Sequence, residues 1–157
     1  MLKVGEKFPY FQLANQNNKT CALKDYLGKW LVLYVYPKDD TPGCTLEGKG
    51  FSQKKSQFEK LNTNIVGVSQ DDVDSHKDFC DKYSFTIDLL ADPEAGLLTA
   101  TGVGKKLGKF WNRTTFVIDP KGIIKKVYEN VNPDGHDAAV LRDIKELQSS
   151  GRAEISA

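Results

Sequence analysis

The apolar positions of this chain fall into short runs of two kinds. Leu31 to Tyr36 is apolar at nearly every position, the pattern of a strand buried on both faces of a sheet. Asn64-Ile65-Val66-Gly67-Val68-Ser69 reads as a second buried strand. Phe11 to Ala14 alternates, and beyond the turn cluster Asn15 to Asn18 the segment Thr20 to Ala22 predicts the returning strand of a small hairpin. Elsewhere the apolar residues return at helical spacing. Phe51, Phe58 and Leu61 share one face of a helix opening near Gly43, and Val73, Phe79, Cys80 and Tyr83 lie on a helix capped by Asp71-Asp72. Val140, Leu141, Ile144 and Leu147 form the inner face of a last helix from about Asp134 to Gln148.

The connecting segments carry their own signals. Leu23 to Leu27 reads as a short helical turn ended by Gly28. Ile87 to Leu90 suggests a short extended piece. Asp92-Pro93-Glu94 reads as an N-cap, a first-turn proline and an acidic first turn for a helix through Leu97 and Leu98. Gly102 to Lys109 predicts a loop rich in glycine and lysine, and Lys105, Lys106 and Lys109 are expected to be solvated or to serve in docking a reductase. Thr114 to Ile118 and Ile123 to Tyr128 are two strands joined by the β-turn Asp119-Pro120-Lys121-Gly122. The early β–α–β unit requires a parallel crossover, and the late hairpin adds antiparallel strands. The expected architecture is a thioredoxin-like α/β fold: a mixed central sheet flanked by helices, with an N-terminal β-hairpin.

Length and composition narrow the function. The 157 residues fit one domain spanning 1–157, long enough to bury a sizeable core. A formal net charge of +1 gives no argument for a nucleic-acid partner or a membrane surface. No apolar run reaches membrane-spanning length. The start Met1-Leu2-Lys3-Val4-Gly5-Glu6 lacks the pattern of a secretory signal, so a cytoplasmic location is expected. Cys21, Cys44 and Cys80 are too few and too scattered for a disulfide scaffold and point to redox or catalytic use of one or two. With His76 and His136 as its only histidines and no C-x-x-C pair, the chain gives no sign of a zinc site. Both histidines are expected to face solvent, and Cys21 to be structural. No metal, flavin or nucleotide motif is present, and no cofactor is expected.

The chemistry gathers at Cys44. A strand breaks into a loop holding Pro37 and Pro42, and the loop delivers Cys44 to a helix start, where a thiolate is favoured. A thiol that cleaves a peroxide must be ionised, must meet the peroxide in line, and needs donors aimed at the leaving oxygen. Thr41 offers a hydroxyl three residues before Cys44, and Gly43 lets backbone amides come close to a small substrate. Pro37 stiffens the loop. Arg113, just before the strand at Thr114, is a candidate cation that only folding can bring near. Glu47, one turn after Cys44, either orients that guanidinium or favours the helix start by its charge.

Pro37-x-x-x-Thr41-x-x-Cys44 resembles the active-site motif of the peroxiredoxins. The fuller string Tyr36-Pro37-Lys38-Asp39-Asp40-Thr41-Pro42-Gly43-Cys44-Thr45-x-Glu47 is similar to the bacterioferritin comigratory protein, or Q-type, branch. The opening Gly5 to Leu13, Gly28-Lys29 and Arg113 to Asp119 carry the same likeness, so it covers nearly the whole chain. The resemblance implies a thiol peroxidase for hydrogen peroxide and organic hydroperoxides. In it Cys44 is the peroxidatic cysteine, Thr41 and Arg113 bind and polarise the peroxide, and Pro37 shields the site.

Many members of that branch carry a resolving cysteine five residues after the first; here that position is Lys49. Others place it on the following helix, which matches Cys80. The resemblance therefore implies an atypical two-cysteine cycle with an intrachain Cys44–Cys80 disulfide, recycled by thioredoxin or a similar dithiol, in a monomer. Cysteines in a disulfide bring their Cα atoms within roughly 7 Å, so the first turn after Cys44 and the helix around Cys80 are expected to unwind locally when the bond forms. Two alternatives stay open: Cys80 is core filler and the enzyme is a one-cysteine peroxidase, or the chain is a non-catalytic thioredoxin-fold binding or chaperone module. A thioredoxin-type oxidoreductase is disfavoured because Cys44 is followed by Thr45-Leu46-Glu47 rather than a C-x-x-C.

Overall fold

Two apolar layers sandwich a seven-stranded mixed sheet in the computed structural model, which describes residues 1–156 and side chains through Ser150. The chain forms β1 (Gln12–Ala14), β2 (Thr20–Ala22), α1 (Leu23–Tyr26), β3 (Trp30–Val35), α2 (Pro42–Gln53), α3 (Lys55–Lys60) and β4 (Thr63–Ser69). There follow α4 (Val73–Tyr83), β5 (Asp88–Ala91), α5 (Gly96–Thr101), β6 (Lys105–Lys106), β7 (Phe110–Trp111), β8 (Thr114–Ile118), β9 (Ile124–Tyr128) and α6 (His136–Ser156). The sheet order is β2-β1-β5-β4-β3-β8-β9. β3, β4 and β5 run parallel, and β1, β8 and β9 join antiparallel.

β3 is the axis of this arrangement. Leu31, Leu33 and Val35 point to a core shared with Phe8, Leu97 and Phe116; Val32 and Tyr34 point to the opposite core with Phe51, Phe58, Phe79 and Ile144. That two-sided burial is what an unbroken apolar run specifies. The second core collects α2, α3, α4 and α6, and it encloses both Cys44 and Cys80. The thioredoxin-like mixed sheet, the N-terminal hairpin and the helices on both faces all match the sequence expectation.

Four local expectations need correction. The helix read through Phe51, Phe58 and Leu61 is broken at Lys54 (φ −99°, ψ 5°), although Phe51 and Phe58 both remain buried. α5 begins three residues later than its Asp-Pro-Glu signal suggested, because Ala95 adopts a left-handed conformation (φ 58°). Asp92 still serves that helix, accepting the Leu98 amide at 2.8 Å. The glycine–lysine loop expected over 102–109 supplies the first strand and the turn of a small hairpin, β6–β7, whose turn residues Leu107 and Gly108 are both left-handed; this is the geometry that matches strand twist. α6 starts at His136 and extends past the expected end at Gln148.

The histidines are the largest departure, since both are buried rather than solvent-facing. His76 places Nδ1 2.6 Å from Asp39 Oδ2 and Nε2 3.0 Å from the Leu90 carbonyl. His136 Nε2 lies 2.8 Å from Thr115 Oγ1, with its ring edge-on to Phe51 and Tyr128. Partners for the ring nitrogens offset the cost of removing them from water.

Candidate active site

Three elements build the site. The loop leaving β3 carries Pro37 to Thr41; α2 opens with Pro42 at its first position, so Cys44 sits in the first turn. Proline is pre-organised for that position, and the unpaired amides of the turn favour negative charge nearby. β8, paired to β3, places Arg113 just before its first residue. That pairing solves the problem spacing left open. Arg113 Nη2 donates to Cys44 Sγ at 3.4 Å, and Nη1 donates to Glu47 Oε1 at 2.8 Å.

The packing around the guanidinium is tight. A Cβ on Gly43 would stand 2.9 Å from Arg113 Nη2 and 3.4 Å from Pro133 Cγ. Glycine at this position thus creates the space in which the cation reaches the sulfur. Cys44 is 1% exposed and Glu47 is likewise 1% exposed.

Burial pushes the Glu47 carboxyl up to about 7, with Arg113 pulling it back in part. Its Oε2 has no hydrogen-bond partner among the described residues, so no donor stabilises charge on that oxygen. Burial works against the charged form of Arg113, but Glu47 and Cys44 outweigh it and hold the guanidinium above its usual range. A guanidinium in hydrogen-bond contact with a sulfur stabilises negative charge there.

Thr41 occupies the N-cap position, and its hydroxyl donates to the Lys38 carbonyl at 3.0 Å rather than contacting Cys44. The hydroxyl hydrogen is thereby committed, and its lone pairs are left to accept. Pro37 and Arg113 border a cleft of about 140 Å³, together with Phe110, Trp111 and Val131. Phe110 and Trp111 form β7 of the β6–β7 hairpin, directly after the segment 102–109 whose composition predicts a loop. Leu-Gly is a weak turn signal compared with Asn-Gly, so periodicity had little to find there.

Cys80 sits in a different setting. It lies on α4, 5% exposed, against the apolar core that also holds Cys44. Burial, then the charges of Asp39, Asp81 and Asp88, pushes its thiol up to about 12. Lys49 points to the same helix, its Nζ 4.9 Å from the Tyr83 ring centre. Cys21 is buried in β2, with Sγ 3.6 Å from the Lys19 carbonyl.

One group of metal-ligand type occurs among the described residues. Asp39, Asp71 and His76 bring one atom each within 4.8 Å of one another. These atoms are already taken up by hydrogen bonds from Ser69, Ser75 and the Asp39 amide and by the His76–Asp39 contact. No described helix is long and apolar enough to cross a membrane.

Comparison with known proteins identifies the family and the fold. Residues 4–127 match the AhpC/TSA family. A relative from Helicobacter pylori named putative peroxiredoxin bcp is 42% identical, over 91% of this chain and 98% of its own length. Peroxiredoxin Bcp of Bacillus subtilis is 37% identical, over 93% and 97%. A crystal structure of a cysteine-to-serine mutant of Xylella fastidiosa PrxQ superposes with a TM-score of 0.90 at 35% identity, covering 94% of this chain and 98% of that one. Fold, thiol setting and relatives converge: the chain belongs to the AhpC/TSA family, in its peroxiredoxin Bcp/Q branch.

Proposed function

We propose that this protein is a peroxidase whose Cys44 thiolate reduces hydrogen peroxide and organic hydroperoxides. The observation that carries the reading is the Arg113 guanidinium, held by Glu47 and donating to Cys44 Sγ. In the first step the sulfur attacks one peroxide oxygen. The S–O bond forms as the O–O bond breaks, and the departing oxygen takes up a proton to leave as alcohol or water. Arg113 stabilises charge on that oxygen. The free lone pairs of Thr41 Oγ1 accept from the incoming O–H, which fixes the peroxide for in-line attack. Pro37 limits water at the cleft. Cys44 is left as a sulfenic acid.

In the second step the Cys80 thiol gives up its proton and its sulfur attacks the Cys44 sulfur; the S–S bond forms as the S–O bond of the sulfenic acid breaks, and the departing hydroxide takes up that proton and leaves as water. A dithiol reductant of thioredoxin type then returns both thiols and is itself oxidised to a disulfide. The high pKa of Cys80 argues that this step requires α4 to open, since the folded environment keeps the thiol protonated. The same environment gives the one-cysteine reading its support: if α4 stays closed, an external thiol reduces the sulfenic acid directly. We place the protein in the cytoplasm as a monomer, because an intrachain disulfide needs no second copy.

Stopped-flow consumption of peroxide by the reduced protein tests the first step. Loss of peroxide should vanish in Cys44→Ser, and a wild-type rate no faster than a small thiol would favour the non-catalytic module. Peptide mapping after one equivalent of peroxide tests the second. A Cys44–Cys80 peptide is expected, whereas a persistent Cys44 sulfenic acid beside a free Cys80 supports the one-cysteine cycle.

A further inference from the structure

The peroxide loop carries two consecutive aspartates, Asp39 and Asp40, and neither touches Cys44 or Arg113 in the contacts above. Both reach α4 instead. Asp39 Oδ2 accepts from Ser75 Oγ at 2.8 Å and faces His76 Nδ1 at 2.6 Å, in the first turn of the helix. Asp40 accepts from Lys82 Nζ and from the Tyr83 hydroxyl, each at 2.8 Å, in the last turn. Cys80 lies between the two grips. Adjacent side chains can diverge this far because Asp40 is left-handed (φ 57°), a conformation aspartate tolerates better than most residues.

The two grips differ in strength. Asp39 is buried, its Oδ1 also accepts the Tyr36 hydroxyl at 2.6 Å, and its amide donates to Asp71. The Leu90 carbonyl only accepts, so His76 Nε2 donates to it and ties the same ring to β5. The Asp40 contacts are exposed and weaker.

We propose that Asp39 and Asp40 are positioning residues for the resolving step. They clamp α4 to the peroxide loop on both sides of Cys80 and thereby set how often the helix opens to release that thiol. The gating role rests on Cys80 being the resolving cysteine. The clamp joins the two thiols mechanically: the loop that presents Cys44 is the strap that holds Cys80 in. Unfolding of α4 must break it, and breaking it also frees the loop.

The test loosens the clamp from the α4 side, leaving the peroxide loop intact. Ser75→Ala removes one bond to Asp39, and Tyr83→Phe removes one bond to Asp40 while keeping the ring. Amide hydrogen exchange across α4 should rise about 5–10-fold in Ser75→Ala and about twofold in Tyr83→Phe, with exchange in α6 unchanged. The rate of Cys44–Cys80 disulfide formation should rise by the same factors. The peroxide step should stay within about twofold of wild type, and Ser75→Thr should restore the wild-type values. Unchanged α4 exchange in both variants, with a normal wild-type disulfide, overturns the clamp and leaves the pairing intact. Faster exchange without faster disulfide formation overturns the gating. Failure of the wild type to form a Cys44–Cys80 disulfide overturns the gating through the pairing it rests on, and exchange still decides the clamp.

Discussion

Cys44 and Cys80 share one apolar core and are nearly equally hidden, at 1% and 5% exposure, yet their electrostatic settings are opposite. Cys44 stands in the first turn of α2 with Arg113 donating to its sulfur. Cys80 lies on α4 among Asp39, Asp81 and Asp88, and burial with those carboxylates pushes it up to about 12. Burial is common to both thiols, and what differs between them is the charge each one faces. In the cycle we propose, Cys44 reacts in the folded state and Cys80 only once its helix opens, which separates the two steps in time.

The most direct way to break this contrast is to remove the cation. Arg113→Ala should lower kcat/KM for peroxide by about 10²–10³-fold, measured by stopped flow, because the leaving oxygen loses its donor and Glu47 loses its partner. A wild-type rate in that variant would mean the guanidinium is merely structural. The contrast can next be read without mutation. At pH 8, iodoacetamide should label Cys44 about 100-fold faster than Cys80, as followed by mass spectrometry. Equal labelling would show that accessibility, not charge, controls both thiols.

Gly43→Ala sharpens the Cys44 side. The new methyl would meet Arg113 Nη2 at 2.9 Å, and the tip of that side chain can move aside at little cost to the fold. Peroxide turnover should fall about 10-fold while the melting temperature hardly changes. A large loss of stability with normal turnover would contradict the geometry.

The smallest expected effect is on stability against pH. Glu47, raised from 4.5 to about 7, binds its proton more tightly in the folded state, so its contribution is lost as pH rises through that range. His136, lowered from 6.5 to about 4 by burial, binds its proton less tightly, so its contribution is lost as pH falls through its own range. The two nearly cancel between pH 4.5 and 6.5, leaving a change within about 1 kcal/mol. Glu47→Gln removes one side of the balance. Acidifying that variant across the same window should cost on the order of 2–3 kcal/mol, read from urea unfolding curves.

Much of the fold was legible because short-range pattern dictates it. The unbroken run Leu31 to Tyr36 reads as a two-sided strand, and β3 (Trp30–Val35) covers all of it but Tyr36; the late hairpin announced itself through its Asp-Pro-Lys-Gly turn. Boundaries went astray where one backbone conformation overrode a side-chain signal, as at Ala95, and where a left-handed Leu107 made a turn that composition does not advertise. The histidines were misplaced for a different reason. A lone polar residue gives no hint of burial when its partners lie 21 and 37 residues away, as Thr115 does for His136 and Asp39 for His76.

The sequence by itself determined that a loop would deliver Cys44 to a helix start, since proline, glycine and a buried strand act locally on their own neighbours. Only the tertiary structure decided what faces each sulfur. Arg113 lies 69 residues from Cys44 and arrives because β8 pairs with β3. Asp39 and Asp88 reach Cys80 because α4 packs between the loop leaving β3 and β5, whereas Asp81 is simply its neighbour in the chain. Electrostatic interaction depends on distance through space, and chain order does not encode that distance until the sheet is assembled.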